Sequence, residues 1–248
     1  MSEPKILMLP EMVDIWQQTL NWQPTPQQQQ LFQQLYEGIL KGNQQLNLTR
    51  ITEPVEFWEK HLWDSLRGFW NKDTQTLREI SPISKIIDIG TGAGFPGIPI
   101  AIAFPDSAVT LLDSTRKKIT FLETLITKLD IKNATTLTGR AEAIAKQPQH
   151  RQAYDIALLR AVAPASICAE YSLPLLKKGG LAILYRGHWT DEETEVLKPV
   201  LEALGAEIEL VEGFTTPISN SIRHCLYLRK VSDQEVKTPQ LRRIKSEK

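Results

Sequence analysis

The chain has 248 residues, 42% hydrophobic and 23% charged, with 29 basic and 29 acidic residues and a formal net charge of zero. This is enough length for one α/β core plus an appendage. A zero net charge argues against a protein that coats nucleic acid indiscriminately. No apolar run approaches the length of a membrane span, and the Met1–Lys5 start lacks the basic-then-apolar order of a signal peptide, so a cytoplasmic location is expected. Cys168 and Cys225 are far apart in sequence and outside metal-ligand spacing, so they read as buried hydrophobes, with no metal site expected.

In chain order, a short helix is expected around 11–20, with Trp16 and Leu20 four apart. Thr25-Pro26 reads as a cap followed by proline, opening an amphipathic helix (Leu31, Phe32, Leu35, Tyr36, Ile39, Leu40) that Gly42 is expected to close. Its glutamines read as the wet face. Another helix is expected from Thr52-Glu53-Pro54, with Val55, Trp58, Leu62, Leu66 and Phe69 on one side. A polar stretch, 71–84, follows, and composition places a boundary near 80: an N-terminal helical subdomain over 1–80, an α/β domain over 81–230, and a basic tail over 231–248.

From residue 85 strands and helices alternate. Strands are expected at 85–89, 108–112, 134–137, 154–159 and 179–185, with helices at 96–104, 115–128 and 164–176. That alternation requires a parallel sheet covered on both faces. The apolar runs 207–211 and 224–228 are expected to pair as a hairpin-like edge.

The chemistry centres on Asp88-Ile-Gly-Thr-Gly-Ala-Gly-Phe-Pro-Gly97, a strand breaking into glycines and then a helix start, where backbone can approach a ligand closely. Gly92-Ala-Gly94-Phe-Pro-Gly97 also satisfies G-x-G-x-x-G, so a dinucleotide ligand stays open. Asp88 ahead of the loop, Asp113 at the end of the next strand and Gly139-Arg140-Ala141-Glu142 after the third favour an adenosine carrying a methionyl group, S-adenosylmethionine. Asp113 suits ribose hydroxyls; Glu142 suits an adenine edge, or equally a helix-start acid favoured by the dipole.

Asn47-Leu-Thr49, His61-Leu-Trp-Asp64-Ser65-Leu66, the loop with Gly-Phe-Pro-Gly-Ile-Pro99, Leu112-Asp113-Ser114, Lys117-Lys118, Gly139-Arg140-Ala-Glu142 and Arg160-Ala161 together resemble the bacterial 16S ribosomal RNA guanine-N7 methyltransferases, the RsmG or glucose-inhibited division protein B family, in a cyanobacterial-type form. The resemblance runs over about 25–230. It implies a Rossmann-like class I methyltransferase: a seven-stranded, mostly parallel sheet with helices on both faces, an antiparallel edge strand and an N-terminal helical extension. It further implies S-adenosylmethionine as cofactor, 16S rRNA or the small ribosomal subunit as partner, and a monomer.

Carried over by position, Asp88, Gly90, Gly92 and Phe95 serve the loop and the methionine side of the cofactor, Asp113 and Ser114 the ribose, Ala141 and Glu142 the adenine, and Arg160 the transfer pocket as catalytic residue. His61, Lys117, Arg140, Arg186 and Arg223 are candidate RNA contacts, with solvated surface charge as the other reading. Arg186-Gly187 stands where many members have Lys-Gly, and the terminal motif appears only as Thr238-Pro-Gln-Leu-Arg242-Arg243. Guanine N7 carries a free lone pair, so no general base is needed, and Arg160 reads as a clamp because a guanidinium does not deprotonate. Two other readings remain at this point: a small-molecule methyltransferase, suggested by zero net charge, and a nicotinamide-binding redox or sensor protein, suggested by the glycine pattern.

Overall fold

The computed structural model describes residues 8–71, 73–77 and 84–233. Most of the expected tail, with Lys237, Thr238, Arg242, Arg243, Lys245 and Lys248, lies outside the described residues, as do 1–7 and most of the polar stretch after Leu77.

Helix α1 (Val13–Leu20) leads to α2 (Pro26–Leu46), whose start is fixed by a reciprocal cap: Gln28 N–H donates to Thr25 Oγ1 at 3.2 Å and Thr25 N–H to Gln28 Oε1 at 2.9 Å. The helix does not stop at Gly42. A Cβ there would run into the ring of Phe121, and one at Gly38 into Leu125, so both glycines let α2 lie close to the helix beneath it. The stop comes at Asn47, in the left-handed region at φ 44°.

The helix expected after Thr52 forms in three pieces: α3 (Pro54–Phe57), a π-helical turn (Trp58–Trp63) and α4 (Asp64–Arg67). A small antiparallel hairpin, β1 (Trp70–Asn71) and β2 (Thr76–Leu77), follows. Then come β3 (Lys85–Ile89), α5 (Gly97–Ala103), β4 (Ala108–Asp113), α6 (Arg116–Lys128), β5 (Ala134–Thr138), α7 (Ala141–Ile144), β6 (Tyr154–Arg160), α8 (Ala165–Ser172), β7 (Leu176–Arg186), α9 (Asp191–Ala203), β8 (Ala206–Thr215) and β9 (Ile222–Lys230).

The seven-stranded sheet has the order β5-β4-β3-β6-β7-β9-β8. All pairings up to β6–β7 are parallel, and β9 pairs antiparallel with both β7 and β8. The expected hairpin is therefore present, but the strand that reverses direction inserts one place inside the edge. Tight return from β8 makes β9 its neighbour, and the free edge goes to β8. Helix α9 was not expected; its capping box, with Glu193 N–H donating to Thr190 Oγ1 at 3.2 Å and Thr190 N–H to Glu193 Oε2 at 3.1 Å, is the sequence signal that marks it. Helix α8 ends earlier than residue 176 because Leu176 already belongs to β7.

Alternate residues of the central strands feed two cores. Ile86, Leu111, Leu158 and Ile183 face α5, α6 and the N-terminal helices; Ile87, Leu112, Leu159 and Leu184 face α7, α8 and α9. The first core runs without a break from Trp16 to Tyr227, so the described part of 1–80 shares its core with the sheet.

Polar bonds reinforce that union. Arg67 makes two bonds to Glu212 of β8, at 3.1 and 2.8 Å, and its guanidinium lies 4.3 Å from the Phe214 ring. Glu59 Oε1 accepts the backbone N–H groups of Ile218 and Ser219 at 2.6 and 2.9 Å, and the Tyr185 hydroxyl donates to Ser65 O at 2.8 Å. Both side chains of the Arg67–Glu212 pair are about nine-tenths buried. Arg67→Met is expected to strand the Glu212 carboxylate at a cost of about 3–5 kcal/mol. In thermal denaturation this corresponds to a loss of roughly 6–20 °C, most of it recovered in Arg67→Met/Glu212→Leu.

Candidate active site

The glycine loop is held from below by one carboxylate. Asp88 is fully buried, and its Oδ2 accepts Gly97 N–H at 2.8 Å and Thr91 Oγ1–H at 2.6 Å, while Oδ1 is buried without a partner among the described residues. Asp88 was expected among the cofactor contacts; sealed under the loop, it acts on whatever lies above only through the backbone it holds. Burial pushes its carboxyl up to about 6, a rise that the Thr91 and Gly97 hydrogen bonds oppose.

Above it, Gly90, Gly92 and Gly94 all have positive φ, at 73°, 59° and 96°. A Cβ at Gly90 would stand 2.8 Å from Val162, which roofs the loop, whereas at Gly92 it would meet nothing nearer than Gly90 O at 3.8 Å. The loop is tied to the neighbouring strand through Gly90 N–H and Thr91 N–H, both donating to Leu112 O at 2.8 and 3.0 Å. Asp113, at the end of β4, accepts Gly92 N–H through Oδ2 at 3.0 Å and Thr115 N–H through Oδ1 at 2.8 Å.

A cleft of about 210 Å³ opens at this edge, with Gly90, Asp113, Ser114, Arg140, Ala141 and Glu142 in its walls. Five of the expected cofactor residues and one of the expected RNA contacts are therefore brought together. Val162 and Tyr171, which no motif flagged, complete the lining, and the Tyr171 hydroxyl is pushed up by burial and by Glu142 beside it. A larger cavity, about 480 Å³, lies away from this edge among α1, α2 and the π turn.

Phe95 and Arg160 lie outside the cleft, at a joint with the N-terminal helices. His61 lies flat on Phe95, 4.3 Å between centroids and 8° between planes, with Phe57 edge-on to both. Arg160 Nη1 donates to Lys60 O at 2.9 Å and to Asp64 Oδ2 at 3.3 Å; its Nη2 donates to His61 Nδ1 at 3.3 Å. A guanidinium only donates, so His61 Nδ1 is the acceptor, and the ring proton on Nε2 goes to Thr49 Oγ1 at 2.9 Å. Burial, then Arg160 and Lys60, push the imidazole down to about 3, so the ring is neutral. His61 was expected to touch RNA; buried and uncharged, it offers no cation to a phosphate and serves as a joint.

The remaining expected RNA contacts are scattered. Lys117 is exposed in the first turn of α6, and Arg140 is exposed at the rim of the cleft. Arg186 donates to Ala163 O at 2.8 Å and lies 5.9 Å from the Trp189 ring, which ties it to the segment after β6. Half-buried Arg223 donates to Ile222 O at 2.9 Å and acts electrostatically on Asp64. Asp64 and Thr49, both inside motifs quoted above, were not assigned roles; the one-turn spacing of His61 and Asp64 is the signal that pairs them.

Neither the buried histidine beside Arg160 nor either cysteine is poised to take a proton or attack as a nucleophile near neutral pH. His61 is neutral and committed on both nitrogens, and burial raises both cysteine thiols, Cys168 and Cys225. Among the described residues no cluster of His, Cys, Asp and Glu could hold a metal ion. The arrangement suits transfer to an atom that is already nucleophilic.

Sheet order, glycine loop and the acid ending β4 define a class I methyltransferase. The antibiotic-resistance methyltransferase Kmr shares the fold, with a TM-score of 0.51 over 62% of this chain and 90% of that one at 18% identity. The family described as rRNA small subunit methyltransferase G matches residues 28–226. Ribosomal RNA small subunit methyltransferase G of Nostoc punctiforme is 63% identical over 232 residues, 94% of each chain. That of Trichodesmium erythraeum is 58% identical over 239 residues, 96% of this chain and 93% of the other. The chain belongs to the rRNA small subunit methyltransferase G family, enzymes that use S-adenosylmethionine. No helix among the described residues is long and apolar enough to cross a membrane.

Asp88 yields a test of the loop. Its folded-state value of about 6 lies above the ordinary 3.8, so between those values the native protein binds more protons than the unfolded one, and stability falls as pH rises through that window. The loss amounts to about 3 kcal/mol at neutral pH. Asp88→Asn, which keeps an acceptor for Gly97 N–H, is expected to flatten the dependence of melting temperature on pH between about 4 and 6, read by thermal denaturation across that range.

Proposed function

We propose that the chain transfers the methyl group of S-adenosylmethionine to N7 of one guanine in 16S rRNA, with the cofactor seated in the cleft between Gly90 and Glu142. The observation that carries this reading is the placement of Asp113. Its two oxygens each accept a single backbone N–H, so lone pairs remain for a pair of vicinal hydroxyls at the mouth of the cleft.

The other walls fit the same ligand. Open space at Gly92 leaves its backbone approachable, and Ala141 with Glu142 lies where the adenine belongs. Ser114, exposed beside Asp113, offers a hydroxyl toward the ribose. When bound, the cofactor supplies an activated methyl group on a positively charged sulfur. The chain's own contribution is to hold the acceptor in line with it, since alignment alone supplies roughly 7–11 kcal/mol.

Arg160 is the clamp. Three of its five N–H donors are occupied by Lys60, Asp64 and His61, and the other two have no partner among the described residues. Those two are left for the acceptor, to bond the guanine edge or a phosphate. N7 needs no deprotonation before attack, which agrees with a neutral, fully committed His61. Lys117, Arg140 and Arg223, set apart from one another, are the proposed RNA contacts, with Arg186 acting by fixing the segment after β6. His61 belongs to the framework under Arg160.

The test uses the full chain with labelled S-adenosylmethionine and small ribosomal subunits or naked 16S rRNA that lack the modification. Borohydride and aniline cleavage is expected at a single guanine, and absence of cleavage at any guanine rejects the assignment. In calorimetry, Asp113→Asn is expected to weaken S-adenosylhomocysteine on the order of tenfold through loss of charge-assisted bonds. Unchanged affinity would remove Asp113 from the cofactor site.

A further inference from the structure

The methyl group arrives on a cation and leaves behind a cation. Transfer from sulfonium sulfur to N7 breaks the S–CH₃ bond and forms the N7–CH₃ bond with the purine lone pair. The single positive charge passes from sulfur to the purine, and no proton moves. A pocket that presents an uncompensated arginine to this charge would oppose it at every stage, in the donor complex, in flight and on the product.

On the function proposed above, Arg160, outside the cofactor cleft and holding the acceptor, is that arginine, and its surroundings are arranged against the problem. Its side chain is only 16% exposed, in a setting where charges are weakly screened, and Asp64 Oδ2 stands 3.3 Å from Nη1 with its own side chain 11% exposed. The third partner, His61, is a ring that elsewhere carries charge near neutrality, yet here its Nδ1 must accept from Arg160, which a protonated ring cannot do. Both partners come from the π turn and the first residue of α4. Asp64 has no role in holding the loop: Asp88 and Asp113 do that.

We infer that Asp64 is the counter-charge of the reaction pocket, holding the Arg160–Asp64–His61 cluster at zero net charge so that the cationic methyl donor is accepted beside an arginine. It acts through Arg160 and through space, as an electrostatic positioning residue. The inference rests on the function proposed above.

S-adenosylmethionine and S-adenosylhomocysteine differ by the methyl group and its positive charge, so the ratio of their dissociation constants isolates the field at the sulfur from general damage to the site. Calorimetry on the full chain would compare Asp64→Asn, Arg160→Met and the double variant. Asp64→Asn is expected to shift the ratio against the cationic ligand, on the order of tenfold for a weakly screened charge. Arg160→Met is expected to shift it in the opposite sense, because Asp64 then loses its nearest counter-charge and keeps only the weaker field of Arg223, and the double variant returns it toward the starting value. Asp64→Glu, keeping the charge, is expected to stay within about threefold of the unmodified chain.

A structural role alone weakens both ligands equally and leaves the ratio in place, which overturns the inference. Shifts of the same sign in Asp64→Asn and Arg160→Met overturn it as well. Should Asp64→Asn fail to fold, the direction of the shift in Arg160→Met decides by itself. If the unmodified chain binds neither ligand, the proposed function falls and takes this inference with it; if it binds both and the ratio does not move among variants, the inference alone falls.

Discussion

The contact on which the reaction edge depends is the stack of His61 on Phe95, two rings 4.3 Å apart and nearly parallel. Phe95 belongs to the glycine loop and His61 to the N-terminal helices, so the stack sets the height of the loop relative to everything packed before it. The same imidazole accepts from Arg160 at the end of β6 and donates to Thr49 ahead of α3. One ring thus connects three stretches that are remote in sequence. Substituting a residue that stacks but cannot accept breaks the link to Arg160; one that accepts but does not stack frees the loop.

Burial explains why this connection stays uncharged at the histidine. A protonated His61 would face Arg160 across 3.3 Å in a pocket with little water, so the neutral form wins by a wide margin. Asp88 shows the same bias against charge, here as an upward shift: a carboxyl held away from water, with one oxygen accepting twice and the other without a partner among the described residues. The loop above keeps its shape because Asp88 and Asp113 grip it from two strands, by Gly97 on one side and Gly92 on the other. A glycine loop is flexible in isolation; anchored at both ends it becomes a preformed seat.

How much of this was legible in the sequence depends on whether the signal is local. The strands from Lys85 to Tyr185 announce themselves by short apolar runs between turn signals, and the cleft residues Gly90, Asp113, Ala141 and Glu142 sit at or just beyond the ends of those strands, where parallel topology must gather them. The capping box at Thr190–Glu193 is equally local and marks α9 for anyone who looks for it. Gly42 misled because a glycine near a helix end is usually a stop; the reason it sits mid-helix is Phe121, almost eighty positions away. The roles of His61 and Asp64 are illegible for the same reason. Nothing nearby in sequence shows that they would close on Arg160, and a histidine read alone looks like a surface cation.

The division of labour between the two parts of the chain follows from that geometry. The sheet and its loops supply groups matched to a nucleoside: backbone N–H, a carboxylate for hydroxyls, small residues where the ligand lies close. The N-terminal helices supply none of the cleft's lining, yet Lys60, His61 and Asp64 on them accept the side-chain hydrogen bonds of Arg160, whose guanidinium also lies 5.7 Å from the Phe95 ring of the loop. They are in turn locked to the far end of the chain by Glu59 on Ile218 and Ser219 and by Arg67 on Glu212. On the function proposed above, donor recognition falls to the sheet, whereas presentation of the acceptor draws on the helices and the last two strands together. A π turn is suited to that duty, because its wider hydrogen-bond spacing disturbs the regular ladder at the very residues, Lys60 and His61, whose carbonyl and ring must reach outward to an arginine on another element.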